Sequence, residues 1–283
     1  MRYTEIVPHP HLQAYINCFW VLEEVMADTT PDPVFPDGCL EWMFYLRGAS
    51  QRVTLADGTS SLNPRFEVVG QMTRPWGIRW TPGVHLLGVR FFPHTFAYFA
   101  PRGLPVHELN DQNLGVEDLL GGGFQEVARR LTDCAEPAAG VALLETYLLA
   151  HLRRCPPLVG ASYLEFAVPY ILAGQGHASL DALVRKLGIG GRYLERLFNQ
   201  QVGVSPKYFC RIIRFQQTFR WLERTDSLTA VATACGYYDQ AHFIRDFRHF
   251  TGTTPSAFRR AAGPISTTFL AEGSSSYLYN FRE

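Results

Sequence analysis

Two short stretches carry side chains able to read hydrogen-bonding edges. In Arg192–Gln201 (RYLERLFNQQ) the polar residues Arg192, Glu195, Arg196 and Asn199 leave Leu194, Leu197 and Phe198 as one apolar stripe. In Asp239–Phe250 (DQAHFIRDFRHF) Gln240, His242, Arg245, Arg248 and His249 play the same part around Phe243 and Phe247. Those intervals match a helix that buries one face and shows the other. Arg can be bidentate to guanine and Gln to adenine, and Glu can accept from cytosine. A helix so divided can anchor in a core while its polar face enters a major groove.

Each stretch needs elements to aim it. Leu180–Leu187 (LDALVRKL) and a turn at Gly188–Gly191 precede the first; Leu228–Cys235 (LTAVATAC) and a turn at Gly236–Tyr238 precede the second. Short helix, glycine-bearing turn, second helix is the helix-turn-helix arrangement. Ser179 and Asp239 suit N-caps, and Gly203 and Gly252 stand where the second helices should stop. Between the units Pro206–Arg224 reads as a connector helix of 19 residues, or ~28 Å. Two units on such a spacer can reach successive major grooves about 34 Å apart.

Charge agrees. The chain has 283 residues and no net charge, yet residues 1–160 hold 12 Lys/Arg against 17 Asp/Glu, and residues 161–262 hold 13 against 7. A basic back half points to a polyanion partner for that half alone. Cys18, Cys39, Cys134, Cys155, Cys210 and Cys235 form no C-x-x-C pair, which argues against a structural zinc site or a disulfide scaffold. No signal peptide and no 18-residue apolar run is seen, so a cytoplasmic protein without membrane contact is expected.

The stretch GYYDQAHFIRDFRHFTGTTPSAFRR (Gly236–Arg260) resembles the C-terminal signature of the arabinose-regulator (AraC/XylS) family of bacterial transcription factors. GGRYLERLFNQQVGVSPKYF (Gly190–Phe209) is similar to that family's first recognition helix and connector start. The resemblance covers residues 161–262. It implies two helix-turn-helix units, with base readers at Arg192, Glu195 and Arg196, then at Gln240, Ala241, His242 and Arg245. Position in the motif also favours phosphate contacts for Arg248, His249, Arg259 and Arg260. FPDGCLEWMF and LGVRFFPHTF in the front half resemble, more loosely, the cupin-like sensor domains of some members. The partners implied are double-stranded DNA, a small-molecule effector, a second copy of the chain and RNA polymerase, with no cofactor and no enzymatic activity.

The fold class expected is α+β and multidomain. Residues 1–155 form a β-rich domain that turns helical from about 115, residues 161–262 an all-α double helix-turn-helix domain, and residues 263–283 a tail. Cys39–Leu46, Phe66–Val69 and Val84–Phe92 read as strands, with turns at Pro36-Asp37-Gly38 and Ala56-Asp57-Gly58. Glu41, Trp42, Tyr45, Trp76 and Trp80 are candidates to line an effector pocket, with ordinary core as the alternative. In Ala138–Arg154 the stripe Val141, Leu144, Leu148 and Leu152 either pairs two subunits or packs on its own sheet. Cys155-Pro156-Pro157 then breaks the chain. His9, His11, His85, His94 and His107 lack a shared metal-ligand spacing, so no metal is expected. Two readings stay open beside a DNA-binding regulator: a metal-dependent cupin-type enzyme, and a regulator whose front half only dimerises.

Overall fold

The computed structural model describes residues 2–23, 31–134 and 136–261. The tail 263–283, with Tyr277, Leu278, Tyr279 and Phe281, lies outside the described residues.

Ten strands make up the front half: β1 (Arg2–Ile6), β2 (Ile16–Glu23), β3 (Asp32–Val34), β4 (Leu40–Arg47), β5 (Ser50–Val53), β6 (Ser60–Leu62), β7 (Phe66–Val69), β8 (Trp76–Trp80), β9 (His85–Phe91) and β10 (Leu114–Gly115). They form two antiparallel sheets, β1-β2-β9-β4-β7-β10 and β3-β8-β5-β6. The central strand β4 is apolar on both faces, as a strand covered from both sides must be. Leu40, Trp42 and Phe44 point to one side, Met43 and Tyr45 to the other. Met43 and Tyr45 meet Trp20, Leu86, Trp76, Ile78 and Trp80 between the two sheets.

Helices α1 (Val116–Leu120), α2 (Gly122–Thr132) and α3 (Pro137–Leu152) cover the opposite face. Val141, Leu144 and Leu148 are buried there with Trp42, Val89 and Phe124, and Leu152 packs beside them. Of the two readings of the α3 stripe, packing on its own sheet is the one observed for Val141, Leu144 and Leu148, which are buried inside the subunit. Burial of each is worth roughly 1.5–3 kcal/mol, so the stripe is a core device.

After the Pro156-Pro157 break come α4 (Ala161–Ala173), α5 (Leu180–Leu187), α6 (Gly191–Gln201), α7 (Pro206–Arg224), α8 (Leu228–Ala234), α9 (Gln240–Thr251) and α10 (Pro255–Ala261). The connector α7 is no bare spacer. Phe209, Ile212, Ile213, Phe215, Gln216, Gln217, Thr218, Phe219 and Leu222 are all buried, more than one apolar stripe, so the helix is packed nearly all round. The front half supplies part of that cover. Phe35 stacks on Phe219 and meets Phe258 edge-on, each at 5.8 Å. Gln216 Nε2 donates to the Pro36 carbonyl at 2.6 Å. Gly38, at φ +83°, lies against Phe209 and Ile213, and only glycine takes that conformation freely. The back-half core therefore includes a side chain from residue 35.

Candidate nucleic-acid interface

The two helix pairs are built alike. Ser179 Oγ accepts from the Ala182 amide at 3.2 Å and Asp239 Oδ1 from the His242 amide at 2.6 Å, capping α5 and α9. Gly252, at φ +76°, ends α9. The apolar stripes bury as expected: Leu194, Leu197 and Phe198 on α6, Phe243 and Phe247 on α9. What remains faces outward. Arg192, Glu195, Arg196, Gln240, Ala241, Arg245 and Arg248 are exposed, and Asn199 and His242 are half-buried. Arg196 stacks over the Tyr193 ring at 5.0 Å, which limits its swing. Gln240 Oε1 accepts from Thr229 Oγ1 at 2.8 Å, leaving its NH2 group to donate outward.

Other members of the polar set are already engaged. His249 Nε2 lies 2.8 Å from the Tyr208 hydroxyl, which also contacts the Thr73 carbonyl at 2.8 Å. Burial, then the nearby Arg211 guanidinium, lower the His249 pKa below the ordinary imidazole value. The ring is exposed on the same face as Arg245 and Arg248, with its Nε2 already engaged by the Tyr208 hydroxyl. Arg259 is engaged as well. Its Nη2 donates to the carbonyls of Leu222 (2.9 Å) and Thr225, and its Nη1 to that of Asp226 (3.1 Å), so it caps the C-terminal end of α7.

Sequence reasoning missed three features. The Arg211 guanidinium pairs with buried Asp246 at 2.9 Å, tying the connector to α9, and Asp246 also faces His242 at 3.9 Å. Tyr238, in the turn before α9, is 93% exposed, the most open large hydrophobic residue among the described residues; a turn tyrosine beside a recognition helix was its available signal. The third is the nearness of the front half to α6. His107 Nδ1 lies 3.2 Å from the Asn199 carbonyl, and Asn110 Nδ2 donates to the Gly203 carbonyl at 2.6 Å. A cleft of about 440 Å³ opens there between Thr73, His107 and Asn110 on one side and Glu195, Asn199 and Tyr208 on the other. Glu195 and Asn199 thus share a space with the front half, whereas Arg192 and Arg196 stand clear of it.

Residues 183–261 match a family model described as a helix-turn-helix domain. They form a helix-turn-helix domain. This domain is 31% identical over 86 residues to the HTH-type transcriptional regulator MtrA of Neisseria gonorrhoeae, a match covering 30% of this chain and 29% of that protein. It is 30% identical over 82 residues to the HTH-type transcriptional activator RhaS of Pectobacterium carotovorum subsp. carotovorum, covering 29% of each. The chain thus matches under a third of the length of either relative. Residues 4–115 match a domain of unknown function (DUF6597). Among solved structures, ToxT of Vibrio cholerae O395 is 10% identical at a TM-score of 0.41, over 84% of this chain and 96% of that one.

In front of the helix-turn-helix domain the five pocket candidates do not converge. Tyr45, Trp76 and Trp80 share the space between the sheets. Glu41 lies on that face, paired with Arg90 at 2.5 Å. Trp42 does not, because it packs on the opposite face against Phe91, Phe96 and Phe124; residues 41 and 42 of a strand must point opposite ways. Also between the sheets is Glu67, fully buried, with neither carboxylate oxygen in a hydrogen bond. Burial lifts its pKa to about 7, with Arg52 opposing. Among the described residues no group of three or more His, Cys, Asp or Glu is placed to hold a metal ion. No described helix is long and apolar enough to cross a membrane.

Proposed function

We propose that the chain is a sequence-specific DNA-binding transcription regulator and not an enzyme, reading double-stranded DNA through α6 and α9. One observation carries this reading: both second helices bury their apolar stripe on a common connector while Arg192, Arg196, Gln240 and Arg245 stay exposed. The first-unit readers are Arg192, Glu195 and Arg196, with Asn199 at the cleft edge. Those of the second are Gln240, Ala241, His242 and Arg245, and Arg248 meets phosphate. Residues 1–155 act as a cupin-like sensor that binds a small effector against Tyr45, Trp76 and Trp80, with Glu41 nearby. A second copy of the chain and RNA polymerase are further partners of this reading.

The test is selection of bound duplexes from a randomised pool by the full-length chain. Enrichment of a motif with two boxes about one helical turn apart is expected, with affinity falling steeply as salt rises because phosphate contacts release counterions. A folded chain that enriches no motif at low salt refutes the reading.

A further inference from the structure

The two helix-turn-helix units meet where the loop before α5 reaches the turn before α9. The His177 ring lies so close over Gly236 that any side chain there would overlap it. Beneath that contact sits Arg214, half-buried on α7. Its Nη2 reaches the Gly176 carbonyl at 3.4 Å and its Nη1 the Gly236 carbonyl at 3.5 Å. Its guanidinium stacks on Tyr237 of the second unit at 5.3 Å. Gly176 (φ +76°) and Gly236 (φ +61°) are both left-handed. A Cβ on Gly176 would also collide with the backbone of Cys210 and Arg214. Each unit therefore offers one carbonyl from a turn that glycine alone allows, and a single planar fork spans the two.

We infer that Arg214 is the positioning residue that fixes the spacing and helical phase of the two boxes this chain reads. The inference rests on the DNA-reading function proposed above. Each unit is also attached to α7 by ring contacts, such as Phe198 on Phe209 and Phe247 on Phe215, which are not directional, and the second unit by the Arg211–Asp246 ion pair, which holds that unit alone and does not span the two. The Arg214 fork is directional, because a guanidinium presents its donors in a fixed plane that an ammonium lacks. One base pair of extra spacing moves a box by roughly 3.4 Å and turns it by about 34°. A displacement of that size is as long as the Arg214 contacts themselves. Holding them rejects it. Burial and the neighbouring Arg214 both lower the His177 pKa below the ordinary imidazole value.

The experiment uses the full-length chain on the selected duplex and on versions with one base pair added or removed between the boxes. Wild type should lose at least ~10-fold in affinity per step, the scale of mismatched recognition. Arg214→Lys should bind the original duplex within about 5-fold of wild type and cut the spacing penalty to under about 3-fold, with base preference inside each box unchanged. An unaltered spacing profile, or lost base preference in one box, overturns the inference. Should Arg214→Lys fail to fold by circular dichroism, His177→Ala takes its place. It must relax the same profile, and an unchanged profile overturns the inference again. If wild type selects a motif that lacks two boxes or ignores their spacing, only this inference falls. If it selects no motif, the DNA-reading function falls first.

Discussion

Phe35→Ala removes the side chain that the front half places in the core of the back half. Full truncation of a buried Phe costs roughly 3–5 kcal/mol. Phe35 is only partly buried, but it has two ring partners, Phe219 and Phe258, each pair adding about 0.5–1.5 kcal/mol. The Gln216 hydrogen bond to Pro36 survives because it uses the backbone carbonyl. A loss of about 2–3 kcal/mol is therefore expected. With a urea slope of about 2 kcal/mol per M for a domain of this size, the midpoint should drop by about 1–1.5 M. Two probes locate the effect. Four of the five tryptophans, Trp20, Trp42, Trp76 and Trp80, sit in the sheets and Trp221 on α7, so fluorescence is weighted to the sheets, and ellipticity at 222 nm to the helices of the back half. The curves should coincide in wild type and separate in Phe35→Ala, the helical signal melting first. Val7→Ala, at a site 77% exposed, is the control and should shift neither curve. If Phe35→Ala behaves like that control, the two halves are not energetically joined through residue 35.

Arg196→Ala and Arg245→Ala should each weaken the selected site by about 1–3 kcal/mol and relax preference at a few base pairs. Arg260→Ala should weaken selected and random duplexes alike, as a lost phosphate contact does, and competition binding separates the two patterns. Glu67→Gln should change stability with pH. The folded-state pKa, about 7, stands above the ordinary 4.5, so the folded protein holds the proton longer. Stability then falls as pH rises from 4.5 to 7, by about 3 kcal/mol at 1.36 kcal/mol per unit. The variant should melt higher than wild type at pH 8 and match it at pH 4.5, as thermal denaturation at both values will show.

The helical half was legible because its signals are local. Caps at Ser179 and Asp239, glycine stops and apolar spacing on α6 and α9 each act within a few residues, and α5 and α7 run between the very residues that sequence spacing suggests. In the front half β4, β7 and β9 were readable as dense apolar runs. β3, β5, β6 and β10 were not, being two to four residues long and held by partners distant in sequence, as Asp32 is by Ile78. Composition marks Arg259 and His249 as polar and basic, and only the fold shows the contacts they make, with carbonyls at the end of α7 and with the Tyr208 hydroxyl. Trp42 was drawn toward the pocket by its type, when strand alternation after Glu41 already sends it the other way.

The segment that joins the halves also indicates how a sensor could act on the recognition helices. Phe35 touches α7, Gly38 lies on Phe209, and within three residues the chain is in β4, where Glu41 pairs with Arg90 between the sheets. Asp37 is held in that turn as well, its carboxylate accepting from the Cys39 amide at 2.9 Å. A ligand that rearranges the inner face of β4 acts on a short, stiff path to the connector, not through a flexible linker. For such a ligand to control DNA reading it must bind the two arrangements with different affinity. A tenfold change in the balance needs about 1.4 kcal/mol. The contact at Phe35, worth about 2–3 kcal/mol by the reasoning above, is strong enough to hold one arrangement and weak enough for a bound effector to release.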